Sequence, residues 1–169
     1  KSIELIKMRG YKTILANIEN YNLRKNYYDA ICCFDILEHL ENDQEVLKKI
    51  HYSLKRSGYL FITVPAYQKL FSAHDIALGH KRRYNKKTII MKLKNAGFEI
   101  ILINYWNFFL FFPIALIRFL KKIFFLKIYE QKNLKPESKP LNKYLNNLLF
   151  LILNLENKLL NVNNKIIPC

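Results

Sequence analysis

Cysteine is scarce in this chain: Cys32, Cys33 and Cys169 are the only three in 169 residues. No pair of them has the spacing of a zinc knuckle or a disulfide framework. Cys32 and Cys33 adjoin within an apolar run and read as small buried residues on opposite faces of a strand, which suits a reducing, cytoplasmic setting. No basic region followed by an apolar stretch opens the chain, so no secretory signal is read. The chain starts Lys1-Ser2-Ile3-Glu4 without methionine, and that start is read as a cut. Long apolar runs are missing too. Only ten residues lie between Asn107 and Arg118, against the roughly twenty that a spanning helix needs. Acidic residues are few, 13 against 28 Lys and Arg, for a net charge of +15. Yet no dense basic tract and no basic patch interleaved with aromatics is present. The charge therefore reads as solvated surface, and no nucleic-acid partner is expected.

What is present is an apolar half, 51% of the residues, in a length that allows one domain with a substantial core. Ser2 to Gly10 reads as a short helix with a serine cap and a glycine stop. A strand is expected at Lys12 to Ala16, a turn-prone segment at Asn17 to Asn26, and a buried strand at Asp29 to Phe34. Val46, Leu47, Ile50 and Leu54 recur at helical spacing, giving an amphipathic helix over Asn42 to Lys55 that Ser57-Gly58 ends. Tyr59 to Val64 is almost wholly apolar and closed by Pro65, as expected of a strand buried on both faces. Strand, helix, strand makes a βαβ unit and hence a parallel sheet with a right-handed crossover. A helix over Thr88 to Asn95, with Ile89, Ile90 and Leu93 inward and a stop at Gly97, and a strand over Phe98 to Tyr105 follow.

Polar groups gather where the two strands end, the side of an open parallel sheet on which ligands bind. Asp35, Glu38 and His39 share the spacing of one helical face if a turn starts at Asp35. The second concentration is the loop after Pro65, where His74 to Tyr84 holds two histidines, an aspartate, two arginines and a lysine. It reads as a functional loop, because such loops carry chemistry more often than others. Beyond Trp106 the composition changes. Asn107 to Leu126 suits a helix lying in a membrane boundary with Arg118, Lys121, Lys122 and Lys127 towards head groups, or packing on protein. Gln131 to Pro140 is a polar linker, and Leu145, Leu148, Leu149, Ile152, Leu155 and Leu159 stripe a helix over Leu141 to Leu160.

Tyr28-Asp-Ala-Ile-Cys-Cys-Phe-Asp-Ile-Leu-Glu-His-Leu40, Leu54-Lys-Arg-Ser-Gly-Tyr-Leu-Phe-Ile-Thr-Val-Pro65 and Ala96-Gly-Phe98, with Ser72-Ala-His-Asp-Ile-Ala-Leu-Gly-His-Lys-Arg-Arg-Tyr84, closely resemble class I methyltransferases that use S-adenosylmethionine, in a bacterial subgroup labelled type 11 or 12. The resemblance implies an α/β, Rossmann-like, mostly parallel sheet that is incomplete, its first two strands and last strand missing, with a helical, partly hydrophobic C-terminal extension. Residues 1–105 would be the partial methyltransferase domain and 106–169 the extension. It implies cofactor contacts at Asn17, Ile18, Phe34 and Asp35, with Asn17 standing where the family often has an acid and its amide oxygen able to accept from adenine. Asp35 would accept from the ammonium of the methionine part.

Transfer of the methyl group to a small-molecule or lipid-like acceptor then needs positioning, and a base only where the acceptor is protonated. His39, His74 and His80 are the candidate catalytic groups. Asp75, Arg82, Arg83 and Tyr84 are the candidate substrate contacts, the arginines suiting a carboxylate or phosphate. No metal is expected, although Asp35, Glu38 and His39 would suit a borderline or hard cation in a metal-assisted O-methyltransferase. A non-catalytic membrane- or partner-binding module is the other alternative. The expected setting is the cytoplasm, peripherally on the inner membrane face through residues 106–127.

Overall fold

The computed structural model describes residues 2–106, 109, 111–112, 116 and 142–163. Its helix α1 (Ser2–Met8), strand β1 (Tyr28–Phe34), helix α2 (Asp43–Ser53) and strand β2 (Leu54–Thr63) come first in the chain. Helices α3 (Ala73–Ala77), α4 (Lys86–Asn95) and α5 (Lys143–Asn163) follow. The chain divides into two compact units, Lys1–Val64 with Lys87–Ile100, and Pro65–Lys86 with Ile101–Cys169.

In the first unit β1 and β2 pair in parallel, from Ala30 opposite Tyr59 to Phe34 opposite Thr63. Helix α2 joins them, so the expected βαβ unit is present. Its apolar positions Val46, Leu47 and Ile50 are buried together with Cys33, Leu37, Leu54, Ile89 and Leu93. Helix α4 is tied to the start of α2 by two polar contacts. The Lys92 ammonium donates to Asp43 Oδ1 at 2.7 Å, and the Gln44 amide donates to the Lys92 carbonyl at 3.1 Å. Asp43 is nearly inaccessible and lies in the first turn of α2, where a negative charge suits the helix dipole.

Several sequence expectations are corrected. Ser57-Gly58 does not separate helix from strand. Strand β2 already starts at Leu54, and the pairing slips between Tyr28 and Ala30 so that the four residues Lys55 to Gly58 stand opposite Asp29 alone and bulge within it. A Cβ at Gly58 would lie 3.0 Å from the Lys55 carbonyl oxygen and 3.1 Å from that of Asp29, which is why the bulge takes glycine. Neither Lys12–Ala16 nor Phe98–Tyr105 is a strand. Both run without ladder pairing among the described residues, since the two-stranded sheet offers them no bonded edge. Strand β2 is not buried on both faces either, for Tyr59 and Phe61 stand exposed, as does Cys32 on β1. The linker 131–140, most of 107–127 and Cys169 lie outside the described residues.

In the second unit a parallel bridge joins Ala66 to Tyr84, the Tyr84 amide donating to the Pro65 carbonyl at 2.9 Å and the Tyr67 amide to the Tyr84 carbonyl at 2.8 Å. Helix α5 covers most of the expected helical segment, but of its expected stripe Leu145, Leu148 and Leu155 are exposed while Leu149 and Ile152 are half-buried. No helix among the described residues is long and apolar enough to cross a membrane.

Candidate functional site

In the first unit the candidate site lies at the exit of β1. Asp35 leaves the strand with φ +51°, in the left-handed region that side-chain-bearing residues seldom occupy. Thr63, at the same level on β2, holds it there. The Asp35 amide points at the Thr63 carbonyl (3.1 Å) and hydroxyl (3.2 Å), and the Thr63 hydroxyl donates to Asp35 Oδ1 at 3.1 Å. The left-handed residue also forbids a helical turn starting at Asp35. The chain instead makes a short 3₁₀ turn at Leu37–His39, with Glu38 buried and His39 exposed, so the expected single helical face of Asp35, Glu38 and His39 is not built. Phe34 stays 57% exposed beside Asp35.

The Asn17–Tyr21 loop belongs to the same unit. Asn17 Oδ1 accepts from the Glu19 amide at 2.9 Å, closing a local turn. Glu19 in turn accepts from the amides of Glu41 (3.0 Å) and Asn42 (2.9 Å) at the start of α2. Lys49 secures the loop from below, its ammonium donating to the carbonyls of Ile18 (3.2 Å), Glu19 (2.7 Å) and Tyr21 (3.2 Å). Composition and periodicity gave no signal for the roles of Thr63, Glu19 and Lys49, because each acts through a partner at least 22 residues away in the chain.

In the second unit the polar loop closes around Asp75, which is fully buried. Ser72 caps α3 with Asp75 in a reciprocal box, the Ser72 amide (2.9 Å) and hydroxyl (3.1 Å) donating to Asp75 Oδ2. Asp75 Oδ1 receives Arg83 Nε and Nη2, each at 2.7 Å, and faces His80 Nδ1 at 3.1 Å. Arg83 Nη1 donates to the Ala66 carbonyl at 3.1 Å, and the Arg83 amide to Gln68 Oε1 at 2.7 Å. Burial pushes the Asp75 carboxyl up, but the Arg83 hydrogen bond and charge, with the Ser72 amide and His80, hold it below its ordinary value. Asp75 is therefore a carboxylate, so His80 Nδ1 must carry the proton of that contact. The proton-accepting nitrogen of a neutral His80 is then Nε2.

The structure thus brings Asp75, His80 and Arg83 together, with the whole Arg83 guanidinium spent inside the protein. His74 is exposed on α3, Arg82 is half-buried and Tyr84 is buried. Tyr67, one residue past Ala66, is again left-handed, with φ +61°. Its ring stacks on Tyr105 at 5.3 Å and lies tilted against Phe111 at 5.0 Å. Sequence reading did not single out Tyr67, since only its backbone angle marks it.

The fold is shared with two crystal structures. One is the [4+2]-cyclase SpnF, 19% identical over 60% of this chain and 38% of that one, with a TM-score of 0.50. The other is a protein assigned as a methyltransferase from Bacillus halodurans C-125, 17% identical over 85% of this chain and 65% of that one, with a TM-score of 0.53. The chain spans less than two thirds of the length of either. No curated protein matches it. Residues 7–103, more than half of the chain, match the family model described as a methyltransferase domain, in keeping with the βαβ unit and the strand exits, and the chain belongs to that methyltransferase family.

Proposed function

We propose that the protein catalyses methyl transfer from S-adenosylmethionine to a hydroxyl on an acceptor with an apolar body, with residues 1–105 as the methyltransferase part and 106–169 as a C-terminal extension, working in the cytoplasm. The observation that carries this reading is the His80–Asp75 pair. A buried carboxylate pinned by Arg83 and Ser72 fixes the imidazole tautomer, the arrangement a general base needs.

The donor set at the β1 exit fits the cofactor. Asp35 is exposed and commits one carboxylate oxygen to Thr63, leaving the other to accept from an ammonium group, and the exposed Phe34 ring supplies an apolar wall. Asn17 and Ile18, on a loop fastened by Lys49, would contact the adenine. When bound, the cofactor supplies a sulfonium-activated methyl group. The chain's own part, within the second unit, is to take the proton of an acceptor hydroxyl at His80 Nε2. Tyr67, with a left-handed backbone, its amide bonded to the Tyr84 carbonyl and its ring stacked on Tyr105, offers an aromatic wall for the acceptor's apolar body.

The test is methyl transfer by the full-length protein with labelled donor, comparing wild type with His80→Gln. The expected result is a fall in kcat of roughly 10²-fold or more with cofactor affinity unchanged. Full activity in the variant would remove His80 as the base. Failure of the full-length protein to bind S-adenosylmethionine at all would remove the reading itself.

A further inference from the structure

Helix α5 carries its apolar residues unevenly. Its spacing of 3.6 residues per turn puts Tyr144, Leu148, Leu151 and Leu155 on one narrow stripe, and these four are 86%, 54%, 60% and 58% exposed. Off the stripe the apolar residues differ: Leu145 and Phe150 are 42% and 63% exposed, whereas Leu149, Ile152 and Leu153 are half-buried, and Glu156, the helix's lone acid, is buried with its carboxylate accepting from the Phe109 amide at 3.2 Å. The solvent-facing side therefore carries no negative charge. It carries Lys143 and Lys158, and Lys158 falls at the next step of the stripe, three residues after Leu155.

We infer that this stripe docks α5 flat on an anionic lipid bilayer, a role independent of the methyl-transfer reading. Three observations favour a bilayer over a second copy of the chain. The net charge of +15 makes two copies repel and an anionic surface attract. Four side chains along three turns are a small part of the roughly 800 Å² per partner that a stable dimer buries. A helix–helix seam continued through the stripe would bury Lys158, whereas at a lipid boundary its stem lies along the acyl chains and its ammonium reaches the head groups. The same helix is too polar to span, with asparagines at 146, 147, 154, 157 and 161, so it lies in the interface.

The experiment is co-sedimentation of the whole chain with vesicles of phosphatidylglycerol and phosphatidylcholine, against pure phosphatidylcholine. Wild type should partition at least about tenfold more strongly onto the anionic vesicles, and Leu148→Ser/Leu151→Ser/Leu155→Ser should weaken that partition at least about tenfold. The opposite-face variant Asn146→Ser should bind as wild type does. A Leu151→Trp variant keeps the stripe apolar and guards against misfolding of the triple variant; its added emission should shift to the blue on anionic vesicles. Equal partition of wild type and triple variant, no shift in L151W, or a concentration-dependent dimer that the triple variant abolishes without any lipid binding would each overturn the inference.

Discussion

Arg83 reaches back across eight residues to close on Asp75, Nε and Nη2 both 2.7 Å from the same carboxylate oxygen, while its third nitrogen holds the Ala66 carbonyl. A guanidinium spent in this way shapes the loop that carries His80. Replacing Arg83 with Met leaves the buried Asp75 without its principal counter-charge, and removing one partner of such a pair costs roughly 3 kcal/mol. The expected outcome is a clear drop in the denaturant midpoint of the whole chain. An unchanged midpoint would mean that the pair contributes nothing net.

The lowered Asp75 ionisation has a pH signature. Its folded value lies below the ordinary 3.8, so the stability it contributes is present above that value and lost as pH falls through the lower, folded one. Acid titration followed by circular dichroism should show wild type losing structure at lower pH than Arg83→Met, whose Asp75 protonates earlier.

Asp35 and Thr63 form one unit at the strand exits. Thr63→Val removes the hydroxyl that holds Asp35 Oδ1 while keeping side-chain volume, and Asp35→Ala removes the acceptor altogether. In the full-length protein we expect cofactor affinity to fall about tenfold for T63V and further for D35A, since hydrogen bonds to charged groups are worth about 1.5–3 kcal/mol. Calorimetric titration with S-adenosylmethionine checks this, and equal affinities would place the ammonium elsewhere.

Gly97 has φ +97°, and a Cβ there would meet the His51 ring at 2.9 Å. That ring is itself packed edge-on to Phe98 at 5.0 Å. Gly97→Ala should therefore destabilise the first unit by about 1–2 kcal/mol, through the left-handed backbone and displacement of His51. Thermal melting measures it, and a gain in stability would contradict the geometry.

The two adjacent cysteines should react unequally. Cys33 is buried, and burial together with the neighbouring Cys32 raises its thiol above the usual range, whereas Cys32 is exposed. Brief alkylation of the folded chain, read by mass spectrometry of the peptide containing both, should label Cys32 well before Cys33.

Much of this arrangement was legible because it depends on local periodicity and short motifs. The α2 pattern at Val46, Leu47 and Ile50, the apolar run ending at Phe34 and the helical spacing of α5 each declare themselves within a few turns of chain, although which face of α5 is covered does not. The loop from His74 to Tyr84 could be singled out by composition, but not the division of labour within it. Nothing in its order of residues says that Arg83 turns inward to Asp75 or that Tyr84 is buried. Lys12–Ala16 and Phe98–Tyr105 have the composition of strands and are not strands, because an apolar, β-prone run becomes a strand only when a neighbouring edge bonds to it. Thr63 and Tyr67 were missed for a related reason: their importance lies in a partner strand and a backbone angle, which no single residue type announces.

Lys49 stands in relation to the Ile18, Glu19 and Tyr21 carbonyls as a coordinated metal ion stands to a ring of oxygen ligands, with a covalent tether that prevents its exchange. Its grip depends on three N–H donors and a positive charge at one atom. Acetylation of that one nitrogen would leave a single donor and no charge, and the segment bearing Asn17 and Ile18 would lose its fastening although neither residue had been altered.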